Sequence, residues 1–497
     1  MPDSHAAPLL IGGNDNASVA IEPRMANRHG LIAGATGTGK TITLQVLAQS
    51  FSQLGVPVLV PDIKGDFSGI AKAGSASEKL QQRADKVGLG SMTLRGAPTV
   101  FWDVFGKQGH PLRLTLAELG PMLLSRLLNL NETQSGIIDI LFRVADDNGW
   151  LLLDLKDLRS MLSYLHEQRA DIGKRYGNVS AASLGAIQRA LLRLDGEGAE
   201  QLFGEPAISL DDFLQTDENG QGVVNVLHAA QLYQTSPLAY SCILLWLLSE
   251  LFEQLPEVGD ADKPRFVLFF DEAHLLFSDT PKALVDRIEQ VVRLIRSKGV
   301  GVYFVTQSPL DVPESILGQL GNRVQHALRA FTPRDQKAVR AAAQTFRANP
   351  ELDTESAIMT LGVGEALVSV LDAKGTPGIV QQVLIRPPDS QMGPIADAER
   401  AALIKASPLA GAYDELEDRE SAYEILQARA DKALSEEKPE VKTQTQARKK
   451  RAGAADKSIG QELADMFSAF GRSAMRSVGT QAGRAIVRGI LGSLRSK

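Results

Sequence analysis

Cysteine is nearly absent from this sequence, since the 497-residue chain contains a single one, Cys242. One thiol cannot form an intramolecular disulfide, which excludes the class of small secreted domains that disulfides hold together. Cys242 lies within the apolar segment Ser241 to Leu245, a setting that predicts a buried core residue. We therefore expect a reducing compartment, and the predicted location is the cytoplasm.

Targeting and membrane-spanning segments are missing as well. The N-terminus, Met1 to His5, has neither a basic segment nor an apolar core, so no signal peptide is expected. No uninterrupted apolar run reaches the roughly 20 residues that a transmembrane helix needs. The formal net charge is −6, and the overall charge therefore gives no indication of nucleic-acid binding. The length leaves room for two or three domains.

A glycine-rich loop between a strand pattern and a helix pattern is the most informative feature present. It matches G-x-x-x-x-G-K-[ST], the phosphate-binding loop of nucleoside triphosphatases. Its residues are Gly34, Ala35, Thr36, Gly37, Thr38, Gly39, Lys40 and Thr41. Glycines allow a tight loop whose backbone N–H groups point at phosphate oxygens, and the following helix adds its positive N-terminus. Lys40 can then reach the outer phosphates, and the Thr41 hydroxyl can ligate Mg²⁺.

The predicted cofactors are therefore ATP and Mg²⁺, although these motifs do not distinguish adenine from guanine. An apolar strand pattern that ends in two carboxylates supplies the second half of such a site: Arg265 to Phe270 precedes Asp271 and Glu272. Asp271 is predicted to hold Mg²⁺ through its water shell, and Glu272 to orient and polarise the attacking water. A protein that only binds nucleotide does not need Glu272, so the pair favours hydrolysis.

Two more strand patterns end in polar residues that we expect at the same edge of the sheet. Gln307 follows one of them; it either senses the γ-phosphate or the lytic water, or belongs to a turn opened by the Ser-Pro pair after it. Asp62 and Asp66 follow the other. They either support the water or the metal, or are solvated loop residues.

Arginines on an amphipathic helix are candidates to complete the site of a neighbouring subunit. In ring ATPases one subunit inserts an arginine beside the transferring phosphoryl group of the next. Arg296 is our first candidate and Arg293 the second; alternatively, both complement the dipole at the C-terminal end of their helix. Arg329 and Arg334 are secondary candidates for a subunit interface.

Strand and helix patterns alternate along most of the chain, which predicts an α/β fold with a mostly parallel central sheet and helices on both faces. The last three strand patterns lie close together and are predicted to extend the sheet in antiparallel fashion. The predicted core is a RecA-like P-loop ATPase in two parts, 30–111 and 222–390, separated by a helical insertion at 112–221. A short N-terminal β segment, 1–29, precedes it. An acidic to polar linker region, 391–457, and a basic amphipathic helical tail, 458–497, follow it.

The C-terminal region separates opposite charges. Residues 411–440 contain ten Asp or Glu and four Lys or Arg, whereas residues 441–497 contain three acidic and twelve basic residues. Apolar residues recur every three or four positions over 458–497, which predicts an amphipathic helix. Three interpretations stay open: the tail packs on the core or a neighbouring subunit, binds a nucleic-acid backbone through its arginines, or lies on an anionic membrane surface.

The phosphate loop, the segment Phe270 to His274 and the pair formed by Thr306 and Gln307 together resemble the HerA–FtsK superfamily of ring-forming, DNA-pumping ATPases. More narrowly, the chain resembles the bacterial HerA-like ATPases of the YjgR type over about residues 9–390, with further matching stretches at 61–66, 120–131 and 332–335. The resemblance implies a homohexamer with six sites at subunit interfaces and DNA threaded through its channel.

The resemblance also implies the roles of individual residues. Asp271 carries over as the metal carboxylate, Glu272 as the catalytic base, Gln307 as the sensor and an arginine near Arg296 as the finger acting in trans. One departure matters: HerA itself resembles a fusion of a β-barrel, which docks a nuclease, to the motor. Only 29 residues precede the motor here, so we do not expect a nuclease partner of that kind.

Two function hypotheses from different classes follow. The main one is an ATP-hydrolysing ring motor that translocates or remodels DNA, a helicase or DNA pump. The alternative is a nucleotide-switched scaffold that controls protein partners without moving DNA. A small-molecule kinase would use the same loop, but the water-directed Glu272 argues against it. DNA binding rests on the resemblance and the tail, because the core contains no aromatic–basic nucleic-acid motif.

Overall fold

The computed structural model describes residues 7–15, 17–278, 280 and 282–432. The strands in these residues are β1 (Leu9–Gly13), β2 (Ser18–Ile21), β3 (Gly30–Ala33), β4 (Val58–Asp62), β5 (Thr99–Asp103), β6 (His110–Pro111), β7 (Val224–His228), β8 (Phe266–Phe270), β9 (Val300–Thr306), β10 (Asn322–Gln325), β11 (Glu365–Ser369) and β12 (Gln381–Ile385). The α-helices are α1 (Lys40–Gln53), α2 (Glu78–Lys86), α3 (Leu116–Leu127), α4 (Glu132–Asn148), α5 (Leu155–Glu167), α6 (Arg169–Tyr176), α7 (Ala181–Gly196), α8 (Leu210–Phe213), α9 (Ala230–Thr235), α10 (Pro237–Gln254), α11 (His274–Phe277), α12 (Lys282–Leu294), α13 (Glu314–Leu317), α14 (Pro333–Gln344), α15 (Thr354–Thr360) and α16 (Asp397–Ala406).

These strands form one 12-stranded sheet in the order β2-β1-β12-β11-β10-β3-β9-β8-β4-β7-β5-β6. From β10 to β6 every neighbouring pair is parallel. From β10 back to β2 every pair is antiparallel. The predicted α/β fold with a mostly parallel sheet is therefore confirmed. The prediction for the last three strands was wrong for the first of them, because β10 joins the sheet by pairing in parallel with β3. The other two follow it by antiparallel pairing, β10 with β11 and β11 with β12.

The central strands are buried on both faces, as continuous apolar sequences require in a parallel sheet. All five residues of β8 and all seven residues of β9 are buried. Helix α1 packs on this part of the sheet through Phe51, whose ring centroid lies 5.7 Å from that of Tyr303. Tyr303 in turn lies 5.4 Å from Phe269. This aromatic cluster fixes the helix that follows the glycine-rich loop.

A second set of contacts holds α1 from the side of residues 389–391. The Gln49 Oε1 atom accepts hydrogen bonds from the backbone N–H groups of Asp389 and Ser390, both at 3.1 Å. The Gln45 Nε2 group donates to the carbonyl of Gln391 at 2.8 Å. Because these groups are buried or partly buried, the hydrogen bonds restrict the position of α1 on the sheet.

Helices α3 to α8 fill the chain between β6 and β7. Capping boxes start three of them, with Thr115 as the N-cap of α3, Asn131 as the N-cap of α4 and Asp154 as the N-cap of α5. The domain boundaries around this helical region stay a prediction. The described residues up to Arg419 belong to one compact unit, and a helix at 422–432 belongs to a second.

Helix α10 carries the single cysteine. Cys242 is fully buried, with its Sγ atom 3.7 Å from the carbonyl oxygen of Leu123, so the prediction of a core cysteine is confirmed. Within the described ranges, no helix is both long enough and apolar enough to span a membrane. The predicted basic tail over 458–497 lies outside the described residues, as does part of the predicted linker.

Candidate nucleotide site

The glycine-rich loop begins directly after β3, at the carboxyl edge of the parallel sheet. The Gly34 N–H donates to the carbonyl of Thr306 at 3.2 Å, and the Ala35 N–H donates to that of Ala327 at 2.8 Å. These bonds tie the loop to the ends of both strands that flank β3. Ligands of parallel α/β sheets bind at this edge.

The loop glycines adopt backbone conformations that other residues rarely adopt. The φ angles are 155° at Gly34, 78° at Gly37 and 117° at Gly39, which is the N-cap of α1. The Thr38 hydroxyl closes the turn by donating to the Ala35 carbonyl at 2.7 Å. The loop therefore has the compact shape that the glycine pattern predicts.

Lys40 is buried beneath the loop. Its Nζ atom donates to the carbonyl oxygens of Gly34 at 2.6 Å and Ala35 at 3.1 Å. Burial lowers the pKa of Lys40, and the charge of Lys64 lowers it further, whereas Glu272 and Asp271 oppose the shift. The ammonium group is thus anchored to the loop and short of compensating negative charge, a state that an incoming phosphate would relieve.

The structure brings several predicted site residues into one pocket at the start of α1. Lys40, Thr41, Asp62, Asp66 and Asp271 line it. The Thr41 hydroxyl and the Asp271 carboxylate are oxygen ligands of the kind that Mg²⁺ prefers. The chemistry of these residues therefore fits a magnesium–nucleotide complex.

Asp271 is held in an environment that disfavours its charge. Burial is the main reason that the pKa of Asp271 rises to about 7, and the neighbouring Glu272 adds to this, while Lys64 and Lys40 act in the opposite direction. The Asp271 carbonyl accepts a hydrogen bond from the buried Tyr240 hydroxyl at 2.9 Å. A divalent cation at this position would offset the repulsion between the two carboxylates.

The sequence predicts the same role for Asp62 and Asp66, but their carboxylates have different surroundings in the structure. The Asp62 carboxylate accepts from the backbone N–H groups of Gly65 at 2.7 Å, Asp66 at 3.2 Å and Phe67 at 3.1 Å. It therefore shapes the turn that places Asp66 and Lys64 on the pocket wall. Lys64 was missed from the sequence, although its position between the two aspartates was a usable signal.

Glu272 lies in a turn with an unusual backbone. Its φ angle is 50°, and the next residue, Ala273, donates its N–H to the Val305 carbonyl of β9 at 3.0 Å. The Glu272 Oε2 atom is buried and forms no hydrogen bond with any residue that the structure describes. The ring of His274 is nearby, with its Nδ1 atom 3.4 Å from Glu272 Oε2. Glu272 thus has an acceptor oxygen that no donor among the described residues satisfies.

Gln307 lies on a second cleft, above the loop. The side chains that line it with Gln307 include Thr36, His274, Arg329 and Arg334. The turn predicted as the alternative also forms, because Asp311 Oδ2 accepts from the Ser308 N–H at 2.9 Å and from the Thr306 hydroxyl at 2.6 Å. Gln307 can therefore follow the predicted turn and still line the cleft beside the loop. The secondary candidates Arg329 and Arg334 line the same cleft.

Arg293 and Arg296 lie at the opposite edge of the sheet. Arg296 belongs to the 3-10 helix Ile295–Lys298, just before the start of β9, whereas the loop follows the end of β3. Strand β9 has 7 residues, about 20 Å of extended chain, and runs parallel to β3. Arg293 is paired with Glu289, Nη2 to Oε1 at 2.6 Å. Any contact of these arginines with a phosphate would therefore be in a neighbouring chain.

Residues behind the loop were also missed from the sequence. The buried His326 and the partly buried Gly364 and Arg83 form a support there, and they come from three separate parts of the chain. Nothing in their local sequence marks them. The pairing of β10 with β3 and β11 brings His326 and Gly364 to the loop, and Arg83 reaches Gly364 from α2.

Comparison with known proteins gives a family match over nearly the whole chain. The profile of the family described as "Helicase HerA-like C-terminal" matches residues 8–497. The DNA double-strand break repair helicase HerA of Saccharolobus solfataricus is 26% identical over 369 residues, which are 72% of this chain and 64% of that protein. A probable helicase of Methanocaldococcus jannaschii is 23% identical over 348 residues, 69% of this chain and 60% of that protein. The chain thus spans less than two thirds of the length of these curated relatives.

Solved structures match the chain at low sequence identity. The plasmid coupling protein TrwB, solved with the non-hydrolysable GTP analogue GDPNP, has a TM-score of 0.50 and 14% identity, covering 78% of this chain and 93% of TrwB. VirB4 of Thermoanaerobacter pseudethanolicus has a TM-score of 0.47 and 16% identity, covering 77% of this chain and 96% of VirB4. At such identities a likeness concerns the fold alone.

Proposed function

Because the chain belongs to the HerA-like helicase C-terminal family, we propose that it is a P-loop ATPase that hydrolyses ATP with Mg²⁺ and acts as a ring-type motor on DNA. The observation that carries hydrolysis is Glu272, whose buried Oε2 atom has no hydrogen-bond partner among the described residues. It sits one residue after Asp271, which lines the pocket. A cytoplasmic location is part of this proposal.

The proposed roles follow from the position of each group. Lys40 and the loop N–H groups bind the phosphates, while Thr41 and Asp271 hold Mg²⁺, with Asp66 at the rim of the same pocket. Mg²⁺, when bound, neutralises charge on the phosphates. Glu272 takes a proton from the attacking water. Gln307, in the neighbouring cleft with Thr36, reports the state of the outer phosphate.

The proposed assembly is a homohexamer in which Arg296, with Arg293 as the second candidate, reaches the site of the next subunit. The arginines and the phosphate loop occupy opposite edges of the sheet in one chain. A contact that joins these two different surfaces is heterologous, and heterologous contacts close into rings when the rotation allows it. This arrangement supports a ring in which every site is completed in trans.

DNA is the proposed polymer because relatives matched over most of this chain are named as helicases, among them the DNA double-strand break repair helicase HerA. The alternative is a nucleotide-switched scaffold. A ring neighbour or a separate protein partner could each cover exposed apolar residues such as Phe331, 86% exposed, and Val363, 72% exposed, so these residues are compatible with both proposals.

The test is to measure ATP hydrolysis with and without double-stranded DNA on a sample whose mass is determined by light scattering. The motor proposal expects a hexamer whose turnover DNA stimulates. A mock purification from cells that do not express the protein, measured in parallel, sets the background from contaminating ATPases. Turnover by a monomer or dimer that DNA leaves unchanged would overturn the motor proposal in favour of the scaffold. Absence of turnover above that background would overturn the ATPase proposal itself.

A further inference from the structure

A fully buried histidine lies directly behind the phosphate loop. His326 follows β10 and is 0% exposed. Its backbone N–H donates to the carbonyl of Ala33, the last residue of β3, at 2.7 Å. The imidazole is therefore placed between the loop and the antiparallel part of the sheet.

Both ring nitrogens of His326 have partners, and these partners define the tautomer. Nδ1 lies 2.9 Å from the Glu365 carbonyl oxygen, which can only accept, so Nδ1 carries the proton. Nε2 then accepts a hydrogen bond from the Thr43 hydroxyl at 2.8 Å. Burial lowers the pKa of His326 to about 4, and the nearby charge of Lys40 lowers it as well. The ring is neutral at neutral pH and bridges β11 to α1.

Residue 326 leaves no room for a side chain at the start of the loop and little at its end. A Cβ atom added to Gly34 would lie 2.5 Å from the Cβ atom of His326, and one added to Gly39 would lie 3.4 Å from the Cε1 atom of its ring. Thr43 is in the first turn of α1, two residues after Thr41. His326 thus supports the start of the loop, its end and the helix that follows.

A turn before β11 supports the loop from the same side. The Gly364 N–H donates to the Thr38 carbonyl at 2.9 Å. Arg83 of α2 holds this turn, since Nη2 donates to the Gly364 carbonyl at 2.6 Å and Nε donates to the Ile385 carbonyl at 2.9 Å. The surface behind the loop is therefore itself held in place, and His326 is the side chain that connects it to the loop and to α1.

We propose that His326 is a positioning residue that sets nucleotide affinity by holding the phosphate loop and the first turn of α1 in their binding geometry. The inference rests on the proposed function only in that the loop binds a nucleoside triphosphate. His326 faces the back of the loop, through Thr43 and the two glycines, so the nucleotide dissociation constant and KM should depend on it far more than kcat.

The test compares His326→Ala with His29→Ala. His29 is a matched control: it is 3% exposed, its Nε2 atom lies 2.8 Å from the Val292 carbonyl, and its Nδ1 atom accepts from the Val302 N–H at 3.0 Å. It lies at the start of β3, whereas the loop follows the end of that strand. We expect His326→Ala to raise the dissociation constant of Mg-ADP about tenfold, the loss of one to two hydrogen bonds. His29→Ala should leave that constant unchanged.

A conservative variant and a partner variant complete the test. His326→Asn keeps a donor near the Nδ1 position and should restore part of the affinity. Thr43→Val removes the hydroxyl that donates to Nε2 and should also weaken binding. It replaces His326→Ala in the test if that variant does not fold. Unchanged affinity in folded His326→Ala or in Thr43→Val, or an equal loss in His29→Ala, would overturn the inference. Failure of the proposed function is a different result, because the unmodified protein would then not bind Mg-ADP at all.

Discussion

Glu272 adopts a left-handed backbone conformation directly after the buried strand β8. Such a conformation costs a non-glycine residue about 1–3 kcal/mol, and it persists only where the surroundings impose it. The hydrogen bond from Ala273 to Val305 and the packing of β8 impose it here. This strained turn follows the end of β8 at the carboxyl edge of the sheet, the edge from which the phosphate loop also starts.

Glu272→Gln should therefore keep nucleotide binding and lose turnover. The amide has the size of the carboxylate but is a far weaker base, so we expect kcat to fall by about 10²- to 10⁴-fold. Equilibrium binding of Mg-ATP and single-turnover hydrolysis measure the two effects separately. Normal turnover in this variant would remove Glu272 from the proposed role.

Lys40→Ala should instead abolish nucleotide binding, because the loop loses the cation that its Gly34 and Ala35 carbonyls hold in place. The same binding titration detects the loss, and thermal unfolding of the variant without nucleotide serves as the control for folding. Hydrolysis that persists in Lys40→Ala would mean that the glycine-rich loop is not the nucleotide site.

His29 gives a prediction on pH. Burial lowers the pKa of His29 from 6.5 to about 4, and the charges of Arg296 and Arg28 add to this. The unfolded chain takes up a proton near pH 6.5, but the folded protein does so only near pH 4. The stabilisation is therefore complete above pH 6.5 and is lost as the pH falls towards 4, by about 3 kcal/mol in total.

Denaturant unfolding between pH 4.5 and 7 measures that slope. The free energy of unfolding of His29→Gln should depend less steeply on pH than that of the unmodified protein, whatever its absolute stability. His326, whose pKa burial also lowers to about 4, contributes to the slope that remains. Equal slopes in the two proteins would show that His29 does not stay neutral in the folded state.

At the scale of elements, two glycines in neighbouring helices differ in backbone conformation, so replacing them should change stability in opposite directions. Gly120 has a φ angle of 73° and interrupts α3 just before Pro121, whereas Gly136 lies inside α4 without positive φ. An added Cβ would meet no atom within 4 Å at either position. Backbone conformation alone therefore separates them.

Gly120→Ala should destabilise the protein by about 1–3 kcal/mol, because φ 73° with ψ 165° is a backbone conformation that is strained for an L-residue. Gly136→Ala should stabilise it by up to about 1 kcal/mol, because alanine favours the helix interior. Denaturant unfolding of both variants at one pH gives the two signs. A shift of the same sign in both would contradict the kink in α3.

At the scale of the whole molecule, the separation of Arg296 from its own loop predicts complementation between subunits. Arg296→Ala should bind nucleotide normally and lose turnover by about 10³-fold or more, as for arginine fingers. Mixing it with Glu272→Gln should restore part of the turnover, because some interfaces then pair an intact Glu272 with an intact Arg296. Steady-state hydrolysis over a range of mixing ratios measures this.

Arg287→Ala is the control for that mixture. Arg287 lies on α12, the helix that leads into the 3-10 helix of Arg296, and its Nη2 atom is 3.8 Å from an oxygen of Glu253. Its loss therefore tests the effect of removing a nearby positive charge. Its turnover should stay close to that of the unmodified protein. A mixture of Arg296→Ala and Glu272→Gln that stays inactive would argue that the arginine acts within one chain or not at all.

The local sequence was sufficient for the parts of the site that are contiguous. The loop from Gly34 to Thr41 and the pair formed by Asp271 and Glu272 are recognisable because glycine conformations, a following helix and a strand end are properties of neighbouring residues. The alternation of strand and helix patterns likewise predicted the parallel sheet. Short-range physics determines these features, and the sequence expresses it directly.

Only the tertiary structure decided how distant segments meet. It paired β10 in parallel with β3, and this pairing brings His326 behind a loop that is nearly three hundred positions away in the chain. It also separated Arg296 from the loop by the length of β9. Strand order and side-chain packing depend on the burial of the whole core, which no local pattern encodes. For that reason the sequence shows which chemical groups form the site. It does not show which residues hold the phosphate loop in place, or in which subunit Arg296 acts.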